Sequence, residues 1–180
     1  MQDPDMSRHW LMSSQREQSL EYVLLGALCQ EMWKRGCPLD ILRSHTDQSG
    51  YDLVLDTGGA LRFVQLKSSY IGARAASQSV NVALAAKPGG CIIWLRFDEA
   101  DLSLDHFLFF GAAEPGGMLP DLGERAVKHT KGNAEGIKAI RPGLRSLSRS
   151  RFERIDNIQA LADRLFGRHE TTNEGLPCPH

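Results

Sequence analysis

Three polar side chains lie on a predicted β-hairpin whose other residues are mostly apolar. The hairpin covers residues 50–70 and reads GYDLVLDTGGALRFVQLKSSY. Asp52 lies near the start of its first strand, and Gln65 and Lys67 lie two residues apart on its second strand. Side chains two apart on a strand project from the same face, and strand pairing can bring Asp52 beside them. One carboxylate, one amide oxygen and one ammonium group would then meet at the end of a sheet.

These three groups together suit the hydrolysis of a phosphodiester. A carboxylate with neutral oxygens suits a hard cation such as Mg²⁺ (or Mn²⁺), which takes few protein ligands and keeps several waters. A lysine beside that cation can deprotonate or position a water, or neutralise a phosphate. The spacing therefore predicts Asp52 and Gln65 as metal ligands and Lys67 as the catalytic base or charge stabiliser. Singly, Asp52 would be read as a turn residue and Lys67 as an edge-strand charge that prevents aggregation.

The surrounding pattern predicts a mixed α/β domain that could position this site. An amphipathic helix is expected over residues 15–33, capped by Ser13 or Ser14 and ended by Gly36 and Pro38. A strand over 39–44 and the hairpin follow, and SVNVALAAK at 79–87 predicts a short helix. The continuous apolar run CIIWLRF predicts a strand buried on both faces, HFLFFGA predicts another, and RIDNIQALADRLFG predicts a last helix. Helices are expected to cover a central sheet.

Asp52 on one strand and Gln65-Leu66-Lys67 on the next, after a helix with acidic residues, resemble the PD-(D/E)XK nuclease superfamily. The nearest resemblance is to archaeal Holliday-junction resolvase-like and restriction-like members, and it covers roughly residues 15–97, about half of the chain. It implies a restriction endonuclease-like αβββαβ core with a central mixed sheet flanked by helices. It also implies a metal-dependent endonuclease, with the metal on Asp52 and Gln65 and catalysis by Lys67.

The same resemblance implies an additional acid from the first helix. Glu21 is the better candidate, and Glu17, one turn earlier, is the second. The sequence departs from the family pattern at two positions. Tyr51 stands where the pattern has proline, and Gln65 stands at the acidic position, where a neutral ligand weakens metal binding.

Basic residues are concentrated in the last third of the chain, although the net charge is only −1. From Arg125 to Arg154 there are nine basic and two acidic residues, a net +7, so the remainder carries −8. Such a segment forms either a positive surface or a solvated, salt-bridged face. Beside a nuclease site, it is expected to follow a phosphate backbone and so to bind DNA. The candidate DNA-binding residues are Lys128, Lys131, Arg141, Arg145, Arg149, Arg151 and Ser68, the last of which could instead begin a loop.

Length and composition predict one nuclease-like domain at 15–167, with its core at 15–112 and a basic helical C-terminal extension at 113–167. Residues 1–14 and 168–180 are expected to be flexible termini. No stretch approaches the roughly 18 apolar residues of a membrane span, and the first residues lack a signal-peptide pattern, so a cytoplasmic protein is expected. The four cysteines are scattered, so neither structural zinc nor a disulfide framework is expected.

Two other functions are compatible with the same residues. A nucleic-acid-binding protein that has lost cleavage would carry Gln65 as the mark of that loss. A protein-interaction module, for example a defence-system or toxin-immunity component, would use the basic segment to bind an acidic protein. For an endonuclease, cutting both strands requires two sites, which a homodimer would supply.

Overall fold

The computed structural model describes residues 12–44, 47–128 and 139–168. The helices are α1 (Ser13–Lys34) and α2 (Ile158–Phe166). The strands in chain order are β1 (Asp40–Arg43), β2 (Leu53–Asp56), β3 (Leu61–Tyr70), β4 (Ser77–Asn81), β5 (Gly90–Phe97), β6 (Leu104–Gly111), β7 (Ala126–Lys128), β8 (Ile140–Ser148) and β9 (Glu153–Ile155). Short 3-10 helices cover Asp47–Ser49, Val82–Ala86 and Arg149–Arg151.

The described strands form two sheets. The larger sheet has the order β1-β2-β3-β5-β6-β9, in which β3 and β5 are parallel and the other neighbours are antiparallel. The smaller sheet has the antiparallel order β4-β8-β7. The α/β class predicted from the sequence is therefore confirmed, with a mixed six-stranded sheet at its centre.

The large sheet is the middle of three layers, and its apolar residues are buried on both of its faces. Both helices pack on one face, where Leu24 of α1 and Leu161 of α2 share a core with Ile93 and Leu95 of β5. The other face, which includes Trp94, packs against the small sheet. Every residue of β5 is buried, which confirms the prediction from its uninterrupted apolar run.

Two segments predicted to be α-helical are wholly or partly strands instead. Residues 79–87 form the end of β4 and a 3-10 helix capped by the side chain of Asn81, and the buried, β-branched Val80 between the polar Ser79 and Asn81 suits the strand. The basic segment predicted as helical forms β7, β8 and β9 in its described part, before α2. Pro142 is accommodated in β8 because the pairing with β7 is irregular there. Among the described elements, α-helices therefore cover one face of the central sheet, and the small sheet covers the other.

The predicted first and last helices are confirmed, but the predicted cap of α1 is wrong. The residue before α1 is Met12, and among the described residues no side chain makes a capping hydrogen bond to the start of the helix. Gly36 follows the last turn with φ of 70°, a left-handed conformation that glycine adopts without strain. Cys29 and Cys91 are free, whereas Cys37 is disulfide-bonded, which the sequence did not predict. Within the described ranges, neither helix has the length and apolarity needed to cross a bilayer.

A buried arginine joins the hairpin to the last helix. Arg62 of β3 is fully buried; its Nε donates to the carbonyl of Leu165 at 2.6 Å, and its Nη2 donates to the carbonyl of Arg164 at 3.0 Å. These carbonyls lie in the last turn of α2, where they lack partners within the helix. Burial lowers the pKa of Arg62, so the charge is kept at some cost. The arginine stabilises the fold by capping carbonyls that would otherwise be buried and unpaired.

Arg62→Met is expected to lower the free energy of unfolding by about 2 kcal/mol, because two buried carbonyls lose their donors. The methionine fills most of the space and removes the cost of a buried charge, which limits the loss. Urea unfolding followed by circular dichroism measures the change. Arg154→Met, at an exposed position, is the control and should unfold as the wild type does. Equal stability of the wild type and Arg62→Met would contradict the proposed capping.

Candidate active site

A cavity of about 690 Å³ opens where the central sheet loses a strand. Pairing of β2 with β3 ends at Leu53 and Val64, so the second half of β3 has no β2 neighbour. Side chains from the helical layer and from the small sheet can both enter the cavity at this gap. Its described lining comes from α1, the end of β1 and strands β3 to β5: Ser14, Glu17, Gln18, Leu20, Glu21, Arg43, Ser44, Asp52, Leu66, Lys67, Ser68, Gln78 and Leu95.

Asp52 occupies the position where the missing strand would continue. Its backbone N–H donates to the carbonyl of Val64 at 2.8 Å, and its carbonyl accepts from the N–H of Ser44 at 2.9 Å. Its carboxylate oxygen Oδ2 accepts from the N–H of Leu66 at 2.6 Å. The carboxylate thus satisfies a donor of β3 that lacks a strand partner, and this bond fixes its orientation at the cavity wall.

Lys67 follows that hydrogen-bonded residue on β3. Its side chain is half-buried and lines the same cavity as Asp52. Ser68, a predicted DNA contact, also lines this cavity. The hairpin therefore brings Asp52 and Lys67 to one site, as its sequence predicts. They meet because the gap beside β3 opens between them, and not because they share a face of the sheet.

Glu21 reaches the cavity from α1 and is held there by charge. Its Oε1 lies 2.8 Å from Nε of Arg43, within ion-pair distance, but this buried oxygen accepts no hydrogen bond in the described structure. Burial raises the pKa of Glu21, and the nearby Asp52 carboxylate raises it further, while Arg43 opposes both. The two carboxylates are therefore close enough to repel each other. Glu17, the second candidate acid, is exposed and lines the cavity one helical turn earlier.

Gln65 lies in a different environment from the other predicted ligands. It is 8% exposed, and its Oε1 accepts from the backbone N–H of Asn81 at 3.2 Å. This bond ties β3 to the end of β4, and Gln65 is not among the described residues that line the cavity. An amide oxygen has two lone pairs, so one remains for another partner. The structure gives Gln65 a structural contact that its sequence position did not predict.

The donor set fits a magnesium-like cation. Residues described in the structure include no cluster of three or more His, Cys, Asp or Glu side chains placed to hold a metal. Mg²⁺ needs fewer, because it commonly binds through one or two carboxylates and keeps several waters. Glu21 and Asp52 supply two mutually repelling carboxylates, in which one Glu21 oxygen is paired with Arg43 and one Asp52 oxygen accepts from the N–H of Leu66. A divalent cation between them would remove the repulsion.

Arg43 is a cavity residue that the sequence did not indicate as functional. Besides its ion pair with Glu21, its guanidinium lies 4.7 Å from the ring centroid of Tyr22. It comes to the site because Arg43, at the end of β1, pairs with Leu53 beside Asp52. Antiparallel pairing of the strand at 39–44 with the hairpin could have indicated this placement.

The predicted DNA-binding residues are distributed over the small sheet and its flanks. Lys128, Arg141 and Arg149 are exposed, whereas Arg145 is half-buried and donates to the carbonyls of Pro142 and Leu144. Arg151 donates to the carbonyl of Asp121, with its guanidinium 5.0 Å from the ring centroid of Phe110. Lys131 lies outside the described residues. The small sheet reaches the cavity through Gln78 of β4.

Glu21→Gln is expected to raise the melting temperature by a few degrees at pH 7 and to leave it unchanged near pH 4. The folded protein raises the pKa of Glu21, so ionisation of this residue opposes folding. That cost is absent at pH values below the pKa of Glu21 in the unfolded chain. It is complete at pH values above the raised pKa of Glu21 in the folded protein. Differential scanning calorimetry at both pH values measures the difference. Glu17→Gln, on the same cavity wall, is the control for the loss of a carboxylate at an exposed position. A lower melting temperature for Glu21→Gln at pH 7 would mean that the Arg43 ion pair outweighs burial.

Comparison with known proteins adds little to this geometry. The chain matches no family model and no curated protein. Among solved structures it is similar to a bacterial homing endonuclease, I-Ssp6803I, with 22% sequence identity over 64% of this chain and 81% of that chain. The TM-score of 0.28 is too low for this likeness to support an argument. The functional interpretation therefore depends on the cavity and its residues.

Proposed function

We propose that the protein is a divalent-metal-dependent DNA endonuclease that hydrolyses phosphodiester bonds at a PD-(D/E)XK-type site. One observation carries the proposal. Glu21 from α1, Asp52 before β2 and Lys67 from β3 line a single cavity, although 46 positions separate the first from the last. Two carboxylates and one ammonium group are the parts that metal-assisted attack of water on a phosphodiester requires.

Each residue has a role that follows from its surroundings. Asp52 and Glu21 would hold Mg²⁺ or Mn²⁺. Gln65, which is not among the described lining residues, would have to turn toward the cavity to add its remaining lone pair as a further ligand. A cation bound there supplies Lewis acidity and favours ionisation of a bound water. Lys67 would accept a proton from the attacking water or neutralise the charge that develops on the phosphate. The N–H of Leu66 keeps the Asp52 carboxylate in place during the reaction.

The small sheet would supply the DNA contacts. Lys128, Arg141 and Arg149 are exposed and free to approach phosphates, and Arg145 lies on the strand paired with β4, which reaches the cavity. Contacts of this kind give affinity without sequence preference, and that affinity falls with increasing salt. DNA is therefore the proposed substrate and partner.

A cleavage assay on DNA of defined structure tests the proposal. The full chain is incubated with Mg²⁺, Mn²⁺ or EDTA and with single-stranded, duplex, flapped and four-way DNA, beside the Lys67→Ala variant. Cleavage that requires the metal and is lost in Lys67→Ala supports an endonuclease. Absence of cleavage of all four substrates with either metal would overturn the proposal.

A nucleic-acid-binding protein without cleavage is the second candidate. Two contacts favour it: Oε1 of Gln65 already accepts from Asn81, and Glu21 is paired with Arg43. Both could be structural replacements for a lost metal site. Metal-independent DNA binding, with no cleavage under any of the conditions above, would support this candidate.

Gln65→Glu separates the two candidates. In an enzyme, a carboxylate at this position is expected to tighten Mg²⁺ binding by roughly tenfold or more, because it adds a negative charge while still accepting from Asn81. In a binder, the same change weakens DNA affinity by placing negative charge near phosphates. Mg²⁺ titrations of cleavage and of DNA binding measure both effects. Gln78→Glu adds the same charge from β4 and controls for charge alone.

A further inference from the structure

Arg43 places a positive charge on a carboxylate that the proposed metal site needs. It is the last residue of β1, the outermost strand of the large sheet, and its side chain is 40% exposed at the cavity. Its Nε lies 2.8 Å from Oε1 of Glu21, whose side chain is only 20% exposed. A cation supplied by the protein itself therefore already neutralises Glu21.

Glu21 cannot hold Arg43 and a divalent cation without repulsion between the two. Any cation on this small carboxylate lies within a few Å of the guanidinium, because Nε of Arg43 is already at ion-pair distance from it. Like charges at so short a distance repel strongly, and more so in a partly buried site than in water. Metal binding at Glu21 therefore requires Arg43 to leave.

The remaining contacts of Arg43 are weak enough to let its side chain move. Its Nη1 donates to the hydroxyl of Tyr22 at 3.4 Å, near the limit of a hydrogen bond, and its guanidinium lies 4.7 Å from the ring centroid of Tyr22. Tyr22 is itself 51% exposed, and a cation–π contact in water contributes little. The backbone of Arg43 is held separately, because it pairs with Leu53 of β2. The guanidinium can therefore turn without disturbing the strand.

A phosphate is the partner that suits the displaced guanidinium. Arg43 and Lys67 are the basic residues among the described residues that line the cavity. Lys67 is already assigned to the reacting phosphate or its water, so Arg43 is left to bind a phosphate of the same strand. The planar fork of an arginine matches a phosphate with two parallel hydrogen bonds, which lysine cannot make.

We propose that Arg43 exchanges partners when the site is loaded, pairing with Glu21 in the metal-free protein and binding a DNA phosphate once a divalent cation occupies Glu21. The exchange couples the two ligands. Arg43 competes with the metal less when DNA holds it, and it is available to DNA only when Glu21 is occupied. This inference rests on the proposed function, because it requires metal and DNA at one cavity, and it adds a way for the protein to bind DNA tightly only when it is ready to cleave.

Titration of the full chain with Mn²⁺ in a calorimeter, without DNA, tests the first half of the exchange. Arg43→Gln is expected to lower the dissociation constant for Mn²⁺ by about tenfold, because the competing charge is removed. Arg43→Lys keeps the charge and should bind Mn²⁺ as the wild type does. Arg141→Gln, at an exposed arginine of β8, is the matched control and should also bind it unchanged. Circular dichroism establishes that each variant is folded.

DNA affinity with and without metal tests the second half. Fluorescence anisotropy is measured in Ca²⁺, which avoids turnover, and in EDTA. Arg43→Gln is expected to weaken DNA binding by about tenfold in Ca²⁺, for the loss of a charged hydrogen-bonded contact, and to leave it unchanged in EDTA. Arg141→Gln should change the affinity equally in both, because no metal ligand holds its side chain.

The outcomes separate this inference from the proposed function. Metal-dependent cleavage together with equal or weaker Mn²⁺ binding by Arg43→Gln would overturn the exchange and leave the endonuclease intact, since the ion pair would then be structural. A loss of DNA affinity in Arg43→Gln that is the same in Ca²⁺ and in EDTA, or tighter Mn²⁺ binding by Arg43→Lys, would overturn it too. Absence of Mn²⁺ binding by both the wild type and Arg43→Gln would overturn the exchange and the metal site together.

Discussion

Asp52→Asn is expected to reduce metal-dependent DNA cleavage by about a thousandfold, on the order of the loss of a direct electrostatic contact to a reacting group. The substitution removes one of the two carboxylates proposed to hold the cation. It keeps an oxygen that can accept from the N–H of Leu66, so the local backbone should be preserved. Single-turnover cleavage at saturating protein measures the effect, with circular dichroism as the check of folding.

Asp56 provides a matched control for Asp52 on the same hairpin. Its Oδ1 accepts from the N–H of Gly58 at 2.7 Å, so it too is a carboxylate that binds a backbone donor. It is not among the described residues that line the cavity. Asp56→Asn should therefore cleave at the wild-type rate. Equal rates for Asp52→Asn and wild type would exclude the cavity as the site of reaction.

Lys67→Ala is expected to lower the cleavage rate by about 10²–10⁴-fold, the range for a positioned proton-transfer group. DNA affinity, measured in Ca²⁺ without turnover, should change far less, because one ammonium group makes a small part of a phosphate interface. Lys87→Ala is the control, because it removes a lysine that also contacts β3 but is not among the described residues that line the cavity. The Lys87 ammonium lies 5.5 Å from the ring centroid of Phe63, two positions before Gln65 on β3. Full activity in Lys67→Ala would contradict the proposed chemistry.

Lys67→Arg distinguishes the two roles left open for this residue. Arginine keeps the positive charge but does not release its proton at the pH of the assay. If Lys67 neutralises developing charge, Lys67→Arg should retain a measurable part of the activity that Lys67→Ala loses. If Lys67 is the base, both variants should be equally inactive. Parallel single-turnover rate measurements of Lys67→Arg, Lys67→Ala and the wild type compare the two roles.

The parts of this structure that the sequence predicted are those that depend on local periodicity. The 3.6-residue repeat predicted both helices, and the period of two predicted the hairpin that carries Asp52 and Lys67. The uninterrupted apolar run predicted β5, because it too is a pattern of neighbouring residues in the chain. Glu21 was indicated by resemblance, and the structure places it in the cavity with the hairpin residues.

The parts that were missed depend on pairing between distant segments. The strand β4 pairs with β8 across about 70 residues, and the apolar residues of β8, which are Ile140, Leu144 and Leu147, are spaced as in a helix rather than a strand. The contact between Gln65 and Asn81 exists because β4 returns over β3, and Arg43 reaches Glu21 because β1 pairs with β2. A single sequence does not encode such registers in a local pattern, so these contacts were not predicted.

The capping of α2 by Arg62 has a consequence for the order in which the protein is made. Arg62 and Leu165 are 103 residues apart in the chain, yet the arginine of the hairpin that carries Asp52 and Lys67 donates to that carbonyl. On the ribosome, the hairpin is synthesised long before α2, so the guanidinium of Arg62 remains hydrated and lacks these two carbonyl acceptors until α2 has emerged. The strand that presents Lys67 therefore reaches its stable position only when synthesis has passed the last helix. Nascent chains shorter than this should be sensitive to proteases within the hairpin.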